Sequence, residues 1–182
     1  MVKKYIKNPY IRGLLEWVFV MVLVGLIFLF TDNFIIKTAR VDGGSMEPTY
    51  SDADRVVINL FIYFFTSPQY GDVIAFPFKA DPPIHYIKRI IGLPGDTIDI
   101  IDGFIYRNGE RLDDEFSIHI TPAGNADFPI IIEEDTFFVL GDNRRISKDS
   151  RHAEVGNVHL NDIMGRVNFR WFPFNRFGFV RP

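Results

Sequence analysis

Thr97-Ile98-Asp99-Ile100-Ile101-Asp102-Gly103-Phe104-Ile105-Tyr106-Arg107-Asn108-Gly109 contains two short apolar or β-branched runs, each closed by a turn signal. Asp-Gly and Asn-Gly tolerate the positive φ angles of a tight hairpin turn. The stretch predicts paired strands, and the same pattern recurs outward from it. Arg55-Val56-Val57-Ile58-Asn59 and Asp72-Val73-Ile74-Ala75-Phe76 are strand candidates bounded by turn residues. Thr136-Phe137-Phe138-Val139-Leu140 reads as a buried strand that ends at Gly141. Proline falls in breaks such as Asp81-Pro82-Pro83, outside these runs. Long helical periodicity is missing beyond the N-terminal segment, with a short helix expected around Leu160 to Met164. The fold class is mainly β.

The N-terminal segment has a different character. Trp17 to Phe30 reads WVFVMVLVGLIFLF without interruption. With Leu14, Leu15 and the flanks it reaches roughly 20 residues, enough to cross a bilayer core. Glu16 is the one charge near its start and reaches the interface. Lys3, Lys4, Lys7 and Arg12 all precede it, so the positive-inside rule places the N-terminus in the cytoplasm. The expected organisation is a cytoplasmic segment over 1–12, a transmembrane anchor over 13–31 and an extracytoplasmic domain over 32–182. A cleaved secretory signal peptide is the alternative. Against it, the apolar core is long and ends in Thr31-Asp32-Asn33-Phe34-Ile35-Ile36-Lys37, with no small-x-small cleavage site.

The 182 residues have room for one anchor and one compact domain. A net charge of −3 gives no case for nucleic acid, which favours a basic surface. The absence of cysteine excludes a disulfide framework, a thiol nucleophile and a zinc–cysteine site. The four histidines show no His-x-x-x-His spacing, so no metal is expected.

Three runs follow the apolar segment in order. They are Gly43-Gly44-Ser45-Met46-Glu47-Pro48-Thr49, then Tyr86-Ile87-Lys88-Arg89-Ile90-Ile91-Gly92-Leu93-Pro94-Gly95-Asp96, then Gly141-Asp142-Asn143-Arg144-Arg145-Ile146-Ser147-Lys148-Asp149-Ser150-Arg151. Together they resemble the bacterial type I signal peptidases, membrane-anchored Ser-Lys proteases that remove signal peptides from exported proteins. The resemblance runs from the anchor to about Arg181. It implies an antiparallel β catalytic domain, with residues 97–134 as a small inserted β subdomain whose shortness resembles Gram-positive members. It also implies an enzyme without a cofactor, acting on secretory preproteins at a phospholipid membrane and expected to be monomeric.

The resemblance makes Ser45 the nucleophile and Lys88 its base. A serine hydroxyl attacks only when a base takes its proton, and a lysine serves only when neutral. The unperturbed lysine pKa is about 10.4; lowering it to roughly 8 takes about 3 kcal/mol of differential stabilisation. Burial among Ile87, Ile90 and Ile91 supplies a cause, and a nearby guanidinium adds to it. On a strand, Lys88 and Arg89 point to opposite faces, so one enters the site while the other makes an ion pair. By motif position Ser147 orients the lysine amine, Asp149 and Arg151 hold the site together, and Asp142 pairs with Arg89. The expected chemistry is an acyl-enzyme on Ser45, with its N–H stabilising the oxyanion. Some relatives have a serine two positions before the nucleophile as a second oxyanion donor. Here that position is Gly43, so a backbone amide or water is required instead.

The resemblance also implies cleavage after small residues at −1 and −3. Val41, Met46, Tyr50, Tyr86 and Ile87 are the candidate pocket residues, with core packing as the alternative for each. A rival reading is a Ser-His-Asp hydrolase using His85, His119, His152 or His159. A second rival is an inactive membrane-bound interaction module, disfavoured because Ser45, Lys88 and Ser147 are all present. Phe61-Ile62-Tyr63-Phe64-Phe65 reads either as a core strand or as an apolar rim dipping into the outer leaflet. The aromatic tail from Trp171 to Phe179 has the same two readings.

Overall fold

A computed structural model of the chain describes residues 9–78, 84–113, 116, 120–125 and 128–180. Lys3, Lys4, Lys7, the Asp81-Pro82-Pro83 break, His119 and Arg181 lie outside them. The chain divides into two compact units, Met1–Ile36 and Lys37–Pro182.

The first unit holds α1 (Pro9–Phe34), which extends past both ends of the expected anchor. Its stretch Tyr10–Leu29 is long and apolar enough to cross a membrane. Twenty residues at 1.5 Å each span about 30 Å, the thickness of a hydrocarbon core. Large apolar side chains are exposed on every side of it, with no single stripe for packing against a core. Arg12 Nε meets Glu16 Oε1 at 3.0 Å, one turn apart, which offsets the acid near the start of the span.

Among the described residues the second unit is built from twelve strands. In chain order they are β1 (Ile36–Arg40), β2 (Arg55–Asn59), β3 (Val73–Pro77), β4 (His85–Gly92), β5 (Thr97–Ile101), β6 (Phe104–Arg107), β7 (Glu110–Arg111), β8 (Ile130–Ile131), β9 (Thr136–Leu140), β10 (Val158–His159), β11 (Gly165–Phe172) and β12 (Gly178–Phe179). The larger sheet runs β1-β2-β11-β3-β4-β9-β10, with β12 on β11; the smaller runs β7-β6-β5-β8. β5 and β6 form the hairpin that the Asp102-Gly103 turn predicts, with Ile101 opposite Phe104. Both turn residues take positive φ, +51° at Asp102 and +81° at Gly103.

β3 shows why the large sheet is a central layer. Val73 and Ala75 enter one apolar cluster with Val41, Met46 and Tyr50. Ile74 and Phe76, on the opposite face, enter another with Ile90, Phe137 and Val139. A strand buried on both faces is continuously apolar rather than alternating. A third cluster joins the sheets, packing Ile98, Ile100 and Ile105 against Ile91, Phe138 and Leu140.

β4 positions the site. β3 pairs with it from His85 to Arg89. β9 pairs with it only from Arg89 onward, through a bulge between Ile90 and Gly92. The first half of β4 therefore has one edge unpaired by β9, and Lys88 stands where the two halves meet.

The segment 61–65 is not a core strand. Ile62–Phe64 form a 3-10 turn, started by Asn59 Oδ1, which accepts from the Phe61 and Ile62 N–H groups at 3.0 and 3.1 Å. Tyr63 turns inward and donates its hydroxyl to Asp72 Oδ2 at 3.0 Å. Phe61, Phe64 and Phe65 turn outward, 43%, 77% and 74% exposed. The segment near Leu160 is likewise a 3-10 turn, Leu160–Asp162.

Candidate active site

The loop after β1 carries Ser45. Val41 is anchored by reciprocal backbone bonds, its N–H to Asp54 O and its C=O from the Ala53 N–H. Gly43 then takes φ +81°, a left-handed conformation that explains glycine at this position. Met46 is buried, and its C=O accepts from the Tyr50 N–H at 2.8 Å, closing the loop. Ser45 is left half-buried at the surface of the turn.

Lys88 reaches this loop from β4. Its Nζ lies 2.9 Å from Ser45 Oγ and donates to Ile87 O at 3.1 Å. The contact with Ser45 works in either direction: a neutral amine has a lone pair to accept the hydroxyl proton. The side chain is 3% exposed, and its nitrogen sits 4.8 Å from the centre of the Tyr86 ring. Burial lowers the Lys88 pKa from 10.5 to about 8. The Asp149 and Asp142 charges oppose that shift, and Arg151 assists it. The guanidinium that favours the neutral amine is thus Arg151; Arg89, its neighbour in sequence, is engaged elsewhere.

Two buried ion pairs flank Ser45 and Lys88. Arg89 grips Asp142 with Nε on Oδ1 and Nη2 on Oδ2, both at 2.8 Å, and donates Nη1 to Gly71 O. Arg151 grips Asp149 in the same two-pronged way at 2.8 Å and also donates to the carbonyls of Pro122, Arg144 and Ser147. Burial alone would raise the Asp149 pKa, but the Arg151 hydrogen bonds and charge hold it below the ordinary value. Asp149 Oδ2 accepts the Gly141 N–H at 3.0 Å, fixing the end of β9.

Other positions differ from expectation. Ser147 is buried beside the site, yet its Oγ makes no hydrogen bond to Lys88 or to any other group of good geometry. It lies near enough to Asp149 to help keep that carboxylate ionised. The Gly43 N–H already donates to Asp52 Oδ1 at 2.8 Å, so it is not a free oxyanion donor. The Ser45 N–H makes no hydrogen bond among the described residues.

A groove of about 730 Å³ opens over Ser45 and Lys88. Val41, Met46, Tyr86 and Ile87 line it, as does Gly43. Tyr50 does not. It is fully buried in the cluster around β2 and β3, and its hydroxyl donates to Val167 O at 3.2 Å. A large ring one turn past Met46 follows the loop back into the core. Ile58, Ala75 and Met164 also line the groove, while the exposed Ile84 and Ile146 flank it. Motif position does not single these out: Ile58, Ala75, Ile84 and Met164 lie outside the three motif runs, and Ile146, inside the last, is an exposed residue between Arg145 and Ser147.

Reading motifs also missed three structural residues. Asn143 donates its N–H to Ser45 O at 3.0 Å. Gly141 has no room for a side chain: a Cβ there would lie 2.2 Å from Ser147 Oγ and 2.4 Å from Ser45 O. Arg144 is 1% exposed and donates Nε to Gly141 O at 2.8 Å. Glycine and arginine at surface-like turns give little sequence signal for such burial.

No described histidine bonds Ser45. His85 lines the groove, the His152 ring accepts from the Asp149 N–H at 3.5 Å, and the His159 ring accepts from the Asn161 N–H at 3.1 Å. No group of three or more potential metal ligands occurs among the described residues.

Comparison with known proteins gives a consistent picture. The model of the family described as signal peptidase, peptidase S26, matches residues 14–172. Signal peptidase I S of Bacillus subtilis (strain 168) is 34% identical over 177 residues, covering 90% of this chain and 92% of the relative. Signal peptidase IB of Staphylococcus aureus (strain Mu50 / ATCC 700699) is 32% identical over 183 residues, covering 91% and 93%. A crystal structure of a signal peptidase I from Enterococcus faecalis V583 is 32% identical, covers 56% of this chain and 97% of its own, and superposes with a TM-score of 0.46.

Proposed function

The chain belongs to the signal peptidase family, peptidase S26, and for this serine protease that removes signal peptides we propose a Ser45–Lys88 dyad working through an acyl-enzyme. The observation that carries the proposal is the 2.9 Å contact between Lys88 Nζ and Ser45 Oγ. It is supported by the burial that brings the amine pKa to about 8. Neutral Lys88 takes the Ser45 proton as Oγ attacks the scissile carbonyl. The Ser45 N–H stabilises the oxyanion. Lys88 then gives its proton to the departing amine, releasing the mature protein. Water, activated by the same amine, hydrolyses the ester and frees the signal peptide. Arg89, Asp142, Asp149, Arg151 and Ser147 take no proton; they hold the loops that bring Ser45 and Lys88 together.

The substrate enters as an extended strand. The groove is bounded by β1 on one side and the first half of β4 on the other, a setting that favours added-strand binding. Val41, Met46, Ala75 and Ile87 make it apolar, which favours small apolar side chains at −1 and −3.

The proposed topology places residues 1–12 in the cytoplasm, the anchor over about 13–31 in the bilayer, and the catalytic unit outside, acting as a monomer. The outward Phe61, Phe64 and Phe65, with Phe174 and Phe179 at 76% and 78% exposure, rest in the lipid interface. The test is cleavage of a secretory preprotein by the wild type, Ser45→Ala and Lys88→Met, with the new N-terminus read by mass spectrometry. Cleavage by the wild type alone, after a small residue, is expected. Cleavage by Lys88→Met would defeat the dyad.

A further inference from the structure

We infer that Thr49 is a positioning residue for the reaction, its hydroxyl fixing the Ser45 loop to the buried Arg89–Asp142 pair; the inference rests on the dyad reading above. Thr49 lies four residues past Ser45 in the same loop. Its Oγ1 donates to Asp142 Oδ2 at 2.5 Å and accepts from Arg89 Nη2 at 3.3 Å. Among the described residues, no other side chain from 43–50 hydrogen-bonds either member of that pair. Its carbonyl accepts from Arg170 Nη1 at 3.0 Å, and that guanidinium is paired with Asp54. Thr49 is therefore held from β11 through its main chain and from Asp142 through its side chain.

The Ser45 backbone is held from the same turn as Asp142. The Ser45 carbonyl accepts from the Asn143 N–H at 3.0 Å. Asp142 and Asn143, adjacent in sequence, thus grip the nucleophile loop at two points, one side chain and one main chain. The Asp142 carboxylate also receives Arg89, the residue after Lys88. One carboxylate fixes the nucleophile loop and the base-bearing strand relative to each other. Each of its oxygens accepts from Arg89, and Oδ2 also accepts from Thr49. Hydrogen bonds to a buried charge are the stronger kind and set geometry closely. Removing the Thr49 hydroxyl frees the loop at that point and leaves Asp142 under-bonded, so the Ser45–Lys88 approach loosens although neither residue changes.

Thr49 touches neither substrate nor reacting atoms, so its effect belongs in kcat. The test uses the full chain in detergent, with kcat and KM for a signal-peptide substrate and the folded fraction from thermal melts. Thr49→Val keeps the shape and loses the hydroxyl; Thr49→Ala removes both without placing a methyl against the carboxylate. Both are expected to lose about tenfold or more in kcat per folded molecule, with KM within about twofold. Thr49→Ser is expected to recover kcat to within about threefold of the wild type. If Thr49→Val does not fold, Thr49→Ala decides. A kcat per folded molecule within about twofold of the wild type in Ala, or a Ser variant as slow as Ala, would overturn the inference. Ser45→Ala and Lys88→Met are run alongside. Residual activity in them overturns the dyad and Thr49 with it; inactive controls beside unimpaired Thr49 variants overturn Thr49 alone.

Discussion

Lys88 and Arg89 are adjacent on one strand, yet their cations meet different partners: Lys88 Nζ lies 2.9 Å from Ser45 Oγ, while Arg89 holds Asp142 at 2.8 Å. Alternation along β4 separates the two side chains. The separation leaves Arg89 paired with Asp142 in the core. Lys88 faces a neutral hydroxyl across its closest contact, with no carboxylate among the described residues in hydrogen-bonding contact to fix its charge. The same strand thus carries a structural cation and an amine whose pKa burial lowers to about 8.

Keeping Lys88 buried costs stability in its charged form. Its folded pKa is about 8 against an ordinary 10.5. Between those values the unfolded chain holds a proton that the folded chain has lost, so raising the pH through this window stabilises the wild type. Below pH 8 the burden is complete, on the order of 3 kcal/mol. Lys88→Met removes it. Denaturant melts of the full chain are expected to show Lys88→Met more stable than the wild type at pH 7, with the gap shrinking as pH rises toward 10.5. A gap of the same size at both ends would contradict the shift.

Arg89→Ala leaves the Asp142 carboxylate buried with only Thr49 on its side-chain oxygens. Losing one partner of a buried pair costs about 3–5 kcal/mol. The variant is expected to melt well below the wild type. Lys148→Ala, which breaks the exposed pair with Glu154, is expected to leave the melt unchanged. Equal melts for Arg89→Ala and the wild type would show that the pair is not a stability element.

Ile87 lines the groove one residue before Lys88. Ile87→Ala deepens the apolar wall beside Ser45. The ratio of kcat/KM for substrates with Val rather than Ala at −1 or −3 is expected to rise by about tenfold, the usual worth of one or two methylenes in a pocket. An unchanged ratio at both positions would place Ile87 outside the specificity pocket.

The proposed lipid contact is open to a clean probe because the chain has no cysteine. A fluorophore sensitive to polarity on Phe64→Cys is expected to shift to the blue in vesicles and to be quenched by nitroxide lipids. The same label on Glu110→Cys, exposed on β7, is expected to remain in water. Equal quenching at both positions, or none at Phe64→Cys, would contradict a lipid-facing rim.

Much of this architecture is legible in the sequence, for identifiable reasons. The β5–β6 hairpin shows because Asp102-Gly103 demands positive φ between two apolar runs. β2 and β9 show because each is a short apolar or β-branched run bounded by turn residues. β11 does not show, although it lies between β2 and β3, because Arg166 and Arg170 interrupt its apolar pattern. Those arginines are paired with Asp72 and Asp54, which are remote in sequence. The roles proposed for Ser45 and Lys88 come from the resemblance of the three motif runs, and the fold brings the two side chains to 2.9 Å. Motif position leaves Tyr50 open between pocket and core because it cannot distinguish a side chain that lines a wall from one packed behind it; the fold puts the ring in the core. Gly141 and Asn143 escape notice because their importance lies in closeness to the Ser45 backbone, a property of the folded loops.

The most direct test of the account is the pH dependence of single-turnover cleavage, with the chemical step limiting. In the proposed dyad the active form has neutral Lys88, so the rate is expected to rise with pH through an apparent pKa of about 8 and level off above it. A rate independent of pH from about 6 to 10 would contradict Lys88 as the base that activates Ser45.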